Sequence, residues 1–278
     1  MSSYRSLHDL PPLAGVCDFK DAQRPGLSVE ECVRRLKRYH YALKRSHQIF
    51  NNRIPSEPIY ELKMAFSLHS HYCAEHVAAL RKRVGEMREP PLRLEAVPNA
   101  NLEILFDEIL SAPTTGELLL GLYEVALPAL DGAMRNHLED TNPLVDHPSV
   151  RVIRFALLEL GEMITLGQAS IEAMVDDATR ADSSAWLGLL SDCLANAGGL
   201  GGEKELTKNT INRQHSAKPY TYDGVPRRDE RFPDPYNMGV NAETFLYNDS
   251  FEPEPKTLMM FYKRLREIDV PEMMSSII

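Results

Sequence analysis

The sequence predicts an all-α protein whose core is a bundle of long helices. Apolar residues recur every three or four positions over segments of 20 to 30 residues, which is the period of one face of a helix. No segment alternates between polar and apolar residues for long enough to indicate a β-sheet. Segments of this length exceed the usual globular helix, so they favour a bundle.

Capping residues and prolines set the expected helix boundaries. Ser28-x-x-Glu31 and Thr114-x-x-Glu117 are capping boxes, which open a helix because they bind its free N–H groups. Pro128 lies inside an apolar helix and should kink it or free a carbonyl. The predicted helices cover about 28–51, 59–87, 101–110, 114–139, 148–174, 184–197 and 256–269, with Pro271 interrupting the last.

The predicted organisation has three parts. Residues 1–27 contain Pro11, Pro12, Pro25 and Gly26 with little periodicity and indicate an extended arm, and residues 28–198 form the helical bundle. Residues 199–278 form an irregular strap and a final helix packed on the bundle. The strap is predicted from its aromatic residues, Tyr220, Tyr222, Phe232, Tyr236, Phe245, Tyr247 and Phe251.

Composition excludes several classes of partner. The formal charge is −9 and no long basic tract occurs, which argues against nucleic acid or an anionic membrane as the main partner. The short clusters Arg34–Arg38 and Arg81–Arg83 are typical of solvated helix faces. Four scattered cysteines predict neither a disulfide framework nor a structural zinc site, and no segment has the length and apolarity of a signal or membrane span. We therefore expect a cytoplasmic protein.

Histidines interrupt the apolar stripes of the first two long helices. His69 and His76 are seven residues apart and share one face of the second helix, while His40 and His47 repeat that spacing on the first. Neutral imidazole is a common metal ligand, and helix bundles build metal sites from facing helices. The alternative is that these are core histidines bonded to neighbouring carbonyls or hydroxyls. His137 and His147 are predicted as capping or loop residues.

Acidic partners are expected on the two most apolar helices. Glu124 follows Tyr123 in an apolar segment, and Glu159 and Glu162 lie within the segment 148–174, which is apolar on nearly all sides and predicted to be the most buried. A buried carboxylate must bind a metal, pair with a cation or stay protonated. Arg151 and Arg154 could supply the cations, so both a metal site and an ion-pair network stay open.

The order of the long helices, the segment from His69 to His76 with Glu75, and the acids above resemble the ferritin-like superfamily over residues 28–178. The resemblance implies a ferritin-like bundle whose metal ions support oxidase or oxygenase chemistry. The chain has no Glu-x-x-His motif, so a rearranged site, a single metal and a lost site are all open.

We therefore predict a metal-dependent oxidase or oxygenase that acts on a small organic substrate. The cofactor would be iron, as one or two ions, or manganese. The predicted metal ligands are His69, His76, Glu124, Glu159 and Glu162, and Tyr72 and Tyr123 are the predicted catalytic residues that orient substrate or relay protons. The alternative is a non-catalytic helical bundle that serves as a structural or protein-interaction module, with a homodimer as one partner. A haem-binding bundle is a third hypothesis without a specific motif.

Overall fold

The computed structural model describes residues 10–88, 90, 92–207, 210–232 and 246–277. Within these residues every regular element is helical, which confirms the predicted all-α class. No helix in this part of the chain is long and apolar enough to cross a membrane. Two of the predicted strap aromatics, Tyr236 and Phe245, lie outside the described residues.

The helices begin and end close to the predicted boundaries. Ser28 caps the first long helix through the N–H of Glu31, and Thr114 caps another through the N–H of Glu117. In chain order they are α1 (Phe19–Ala22), α2 (Val29–Arg53), α3 (Tyr60–Glu86), α4 (Ala100–Leu110), α5 (Thr115–Leu119), a π-helix (Leu120–Ala126), α6 (Leu127–Asp140), α7 (His147–Met174), α8 (Asp177–Asp182), α9 (Ser184–Asn196), α10 (Pro253–Arg266) and α11 (Asp269–Ser275).

The chain divides into two compact units. The first contains Met1–Lys44 and Glu75–Ala217, and the second contains Arg45–Ala74 and Lys218–Ile278. These units cut across the predicted boundaries after residues 27 and 198. Helices α2 and α3 each contribute residues to both units.

The first unit packs α6 against α7, with the π-helix on α7 and α4 on α9. Its N-terminal arm is not simply extended, because α1 forms there and Asn142 Nδ2 donates to the carbonyls of Ala22 and Arg24 at 3.0 and 2.8 Å. Gly26 lies against the backbone of Asn142, which a β-carbon at this position would approach to 2.4 Å. The arm is therefore fixed to the turn between α6 and α7.

The disturbance predicted at Pro128 is a π-helix. Its last hydrogen bond joins the N–H of Leu127 to the carbonyl of Leu122, five residues earlier, and the proline follows immediately. Proline has no N–H to donate and its ring crowds the preceding turn, so a widened turn at this place relieves the clash.

Helix α7 corrects one prediction. Its apolar residues do not make it buried on nearly all sides, because Phe155 and Leu158 are 54% and 64% exposed. One face carries Ile153, Leu160 and other buried residues, and no described element covers the opposite face. Apolar residues around a helix therefore do not by themselves show that every face has a neighbour.

The second unit contains the C-terminal segments. The N–H of Arg227 donates to the Pro55 carbonyl at 2.9 Å, and the Phe232 ring lies 4.9 Å from that of Tyr60, centre to centre. Helix α11 contains Pro271 in its first turn, so the predicted interruption is instead a helix start that proline tolerates.

Candidate metal centre and small-molecule cavity

Two of the five predicted metal ligands contact each other in the first unit. His76 on α3 is 8% exposed, and its Nε2 lies 2.6 Å from Oε2 of Glu159 on α7. The Glu159 side chain is one-third exposed rather than enclosed. The Arg151 guanidinium lies over the ring of Phe155, 5.0 Å from its centre. Arg151 therefore contacts an aromatic ring, whereas Glu159 contacts a histidine.

The other acidic candidates lie in solvent. Glu124 accepts two hydrogen bonds of 3.0 Å from Nη1 of Arg180, and both side chains are more than 40% exposed. Glu162 is exposed on the uncovered face of α7, so the expectation of a buried carboxylate at this position was wrong. An exposed carboxylate needs no metal or cation to compensate for lost hydration.

His69 and Tyr72 belong to the second unit. His69 is 2% exposed, its ring contacts the edge of Phe50 at 5.4 Å between centres, and burial lowers its pKa to about 4. It is therefore neutral at physiological pH, as a metal ligand or a core histidine would be. Tyr72 is half-buried beside His71, with 6.3 Å between their ring centres.

Tyr123 and Glu124 line one cavity beside the π-helix. The cavity has a volume of about 540 Å³, and its other walls are Pro128, Gln168, Ile171, Glu172 and Arg180. The Tyr123 ring is fully buried against Gly167, where a β-carbon would lie 2.1 Å from Tyr123 Cγ. π-Turns inside α-helices occur frequently at functional sites, which makes this cavity a candidate for a small polar molecule.

A second group of chemically active side chains lies at the other end of α6 and α7. Cys32 from α2, His137 from α6 and Asp146 at the start of α7 place Sγ, an imidazole nitrogen and a carboxylate oxygen within 4.8 Å of one another. It is the one group of three or more such ligands in the described part of the chain. His137 Nε2 and Cys32 Sγ lie 3.3 and 3.6 Å from the same Oδ2 of Asp146.

The surrounding groups hold the Asp146 carboxylate in place. Thr141 Oγ1 donates to Oδ2 at 3.0 Å, and Arg83 Nη2 donates to Oδ1 at 3.2 Å. Arg83 also donates through Nε to Ser149 Oγ at 2.7 Å. The carboxylate is therefore reached from α2, α3, α6 and the turn before α7, so it ties these elements together.

Electrostatics keep Asp146 ionised and Cys32 protonated. Burial opposes ionisation of Asp146, but hydrogen bonds from His137, Ser149, Thr141 and Arg83 outweigh it and lower its pKa to about 2. Burial first, and then the negative charge of Asp146, raise the pKa of the Cys32 thiol to about 11. One carboxylate charge thus faces one guanidinium charge, and the thiol is neutral.

Sequence reasoning missed this group. His137 was predicted as a capping or loop residue, and the structure corrects that prediction because its side chain is fully buried and contacts Asp146. Its Nδ1 has no hydrogen-bond partner among the described residues. Asp146 and Cys32 were not candidates, although an aspartate two residues before a helix-opening proline was one available signal.

Comparison with known proteins adds no relative, because no family model, curated protein or solved structure matches the chain. The fold and the sites therefore define an all-helical protein with a buried Cys-His-Asp group that could hold a metal ion.

Proposed function

We propose that this chain is a metal-binding helical protein, in which Cys32, His137 and Asp146 hold one divalent transition-metal ion. The observation that carries the proposal is the spacing of the ligand atoms. Ligands bound about 2.0–2.3 Å from a tetrahedral ion lie roughly 3.3–3.8 Å from each other. The distances of 3.3 and 3.6 Å from Asp146 Oδ2 to the other two ligands fall in that range.

The chemical type of the three ligands limits which metal ions fit the site. One thiolate, one imidazole and one carboxylate suit zinc, iron(II) or cobalt(II) better than magnesium or calcium, which prefer oxygen ligands. Binding would release the thiol proton of Cys32, and the neutral imidazole of His137 would bind the ion through Nε2 while its proton stays on Nδ1. Three ligands serve one ion, so this group supports a mononuclear site.

The position of the group favours a structural metal. His137 and Tyr123 are 14 residues apart along a nearly continuous helix, so the centre lies about 20 Å from the cavity beside the π-helix. All three ligands are buried. Three protein ligands leave one position of a tetrahedral ion for water, but the burial of the group and its distance from the cavity favour the non-catalytic helical module that the sequence left as the alternative.

Cobalt(II) titration of the metal-free protein tests this proposal. Cobalt bound by a thiolate gives a near-ultraviolet charge-transfer band, so we expect a saturable band at one ion per chain. The band should disappear in Cys32→Ser and persist in Cys193→Ser, the matched control, because Cys193 is an equally buried cysteine on α9 outside the group.

The proposal fails if the band is missing in the unaltered protein, or if both cysteine variants keep it. Loss of the band in Cys193→Ser alone would assign the thiolate to another place. Circular dichroism of each metal-free variant separates loss of metal binding from loss of fold.

An iron-dependent oxidase or oxygenase in a ferritin-like bundle, acting on a small organic substrate, is the second candidate. Its support is the contact of His76 with Glu159, two of the predicted ligands, together with the long helices α2, α3, α6 and α7. It requires a metal ion at His76, which Cys32 would not help to bind.

Iron content and oxygen consumption of His76→Ala test this second candidate. If His76 binds catalytic iron, both quantities should fall by at least about tenfold in His76→Ala, because loss of one ligand usually weakens a metal site that much. His71→Ala is the control, since His71 is an exposed histidine on the same helix. Equal values in the two variants would remove His76 as a ligand.

A further inference from the structure

One side of α7 in the first unit is uncovered and partly apolar. Phe155 and Leu158 on this side are 54% and 64% exposed, and a β-carbon added at Gly161 beside them would meet nothing within 4 Å. The exposed residues are three or four positions apart, so they lie within an arc of about 100° on the helix. This surface, the outer face of α7, consists of Arg151, Arg154, Phe155, Leu158, Glu162, Thr165 and Ala169.

The charges of the outer face are separated along the helix. Arg151 and Arg154 lie in its N-terminal half and Glu162 lies in its C-terminal half, with Leu158 between them. Neither Arg154 nor Glu162 makes an ion pair with another residue in the part of the chain that the structure describes. The Arg151 guanidinium lies over the Phe155 ring and is also exposed. The outer face therefore has an apolar centre with a basic half on one side and an acidic half on the other.

This order of charges is complementary to itself when two copies of α7 run antiparallel. Around a two-fold axis at Leu158, residues equally far before and after Leu158 lie at the same level along the paired helices. Arg154 is four residues before Leu158 and Glu162 is four residues after it, so each arginine lies level with the glutamate of the other copy. Arg151 lies about 4.5 Å further along the helix, within reach of the same carboxylate.

A parallel arrangement of the two helices would have the opposite effect. Arginine would lie level with arginine and glutamate with glutamate, and like charges placed together at an interface oppose association. The charges of the outer face therefore select the antiparallel direction.

A shallow cavity in the basic half has room for side chains of a second copy. Its volume is about 300 Å³, and it is lined by His147, Arg151, Arg154, Phe155 and Leu158. In the antiparallel arrangement it lies opposite the acidic half of the other helix. A cavity with apolar walls and two guanidinium groups suits a surface that carries a carboxylate beside apolar groups, which the acidic half supplies.

Other occupants fit the outer face less well. An anionic membrane would attract the basic half but repel Glu162 and a chain whose formal charge is −9. A different protein would have to carry the same order of apolar and charged groups that this helix already carries. A second copy therefore needs no feature beyond those that the structure shows.

We propose that the outer face of α7 joins two copies of this chain in a two-fold symmetric, antiparallel dimer. Phe155 and Leu158 form its apolar centre, as aromatic residues commonly do at protein interfaces. Arg154 and Glu162 form two symmetry-related ion pairs beside this centre and fix the direction of the helices. The dimer is independent of the proposed metal site, because none of the metal ligands lies on the outer face.

Sedimentation velocity of the full chain at about 1 to 100 µM tests the proposal, and the apparent mass should rise toward twice that of one chain. Leu158→Asp should raise the dissociation constant at least about tenfold, because it places two carboxylates together at the axis. Leu206→Asp is the matched control with an expected change below about twofold. Leu206 is also 64% exposed and belongs to the first unit but lies outside α7. Circular dichroism of each variant checks its fold.

Exchange of the two charges tests the pairing itself. Arg154→Glu alone and Glu162→Arg alone each place like charges at the same level, so each should weaken the dimer roughly tenfold. An equimolar mixture of these two variants should recover nearly the natural affinity, because one variant then carries two acidic positions and the other carries two basic positions.

A folded chain that stays monomeric at about 100 µM would overturn the proposal and leave the outer face to a different partner. A dimer that Leu158→Asp leaves unchanged, or that Leu206→Asp weakens equally, would place the interface elsewhere and also overturn it. If Leu158→Asp abolishes the dimer but the mixed charge variants recover no affinity, the pairing of Arg154 with Glu162 is wrong.

Discussion

Replacing Glu272 with alanine is expected to lower the free energy of unfolding by about 3–5 kcal/mol, because it removes the buried carboxylate that two buried cations share. Lys63 Nζ lies 2.6 Å from Glu272 Oε1, and Arg228 Nη2 lies 2.5 Å from Oε2. All three side chains are at most 3% exposed. Urea denaturation followed by far-ultraviolet circular dichroism measures the change.

One carboxylate contacts two cations in this group, so removing one cation should have a smaller effect than removing the carboxylate. Lys63→Met keeps Glu272 paired with Arg228 through two hydrogen bonds, so it should cost much less than Glu272→Ala. Burial lowers the pKa of Lys63 despite its partner Glu272, which indicates that the ammonium is held at some energetic cost. Whether Lys63→Met costs less free energy of unfolding than Glu272→Ala therefore tests whether the carboxylate is the group that balances the buried charges.

Glu267→Ala is the matched control, because Glu267 is an exposed glutamate five residues earlier in the same unit. It should change the free energy of unfolding by less than about 0.5 kcal/mol, as expected for a surface substitution. A cost for Lys63→Met as large as that for Glu272→Ala would contradict the argument. It would mean that Lys63, rather than the carboxylate, holds the group together.

Local patterns predicted the helices well because helix ends depend on nearby residues. Ser28 and Thr114 each bond an N–H three residues away, so the sequence contains the whole interaction. Pro128 likewise predicted a disturbance of the helix but not its type, because a kink and a π-turn both relieve the same clash. Helix α8 was missed although Asp176 caps it in the same way through the N–H of Thr179.

Burial was less predictable because it depends on what covers a helix. Phe155, Leu158 and Glu162 of α7 are exposed although their neighbours along the sequence are mostly apolar. A hydrophobic period identifies a face, but the number of covered faces is a property of tertiary packing. The expectation of an interior carboxylate at Glu162 failed for this reason.

The candidate metal group was beyond local sequence reasoning. Cys32 and Asp146 are 114 residues apart, and each residue taken singly fits a core or capping position. Only the packing of α2, α6 and α7 brings their side chains to His137. The predicted pair His76 and Glu159 does meet across two helices, whereas Glu124 contacts an arginine and His69 contacts the ring of Phe50.

Replacing Glu108 with glutamine is expected to destabilise the first unit by about 2–4 kcal/mol, because a buried acceptor becomes in part a donor facing donors. Glu108 is fully buried. Its oxygens accept from Trp186 Nε1 at 3.1 Å, from the Ser216 hydroxyl at 2.6 Å, and from the N–H groups of Gln214, His215 and Ser216. The amide would turn two hydrogens toward this set, so at least one hydrogen bond must break.

This carboxylate should also make stability depend on pH. Burial alone would raise the pKa of Glu108, but the hydrogen bonds from Ser216 and the three amides outweigh it and lower the pKa below its ordinary value of 4.5. Its contribution is therefore complete above about pH 4.5 and disappears as the pH falls through the lower folded pKa. Unfolding curves of the natural protein and Glu108→Gln should converge in that acidic range.

Trp186 reports the transition, since it is the single tryptophan of the chain and itself bonds Glu108. Glu103→Gln on the same helix is the control, because Glu103 is only half-buried, and we expect nearly unchanged stability. A difference between the natural protein and Glu108→Gln that stays constant from pH 7 to pH 3 would contradict the argument. The stabilisation would then come from the shape of the side chain, and the negative charge at the centre of five donors would contribute nothing.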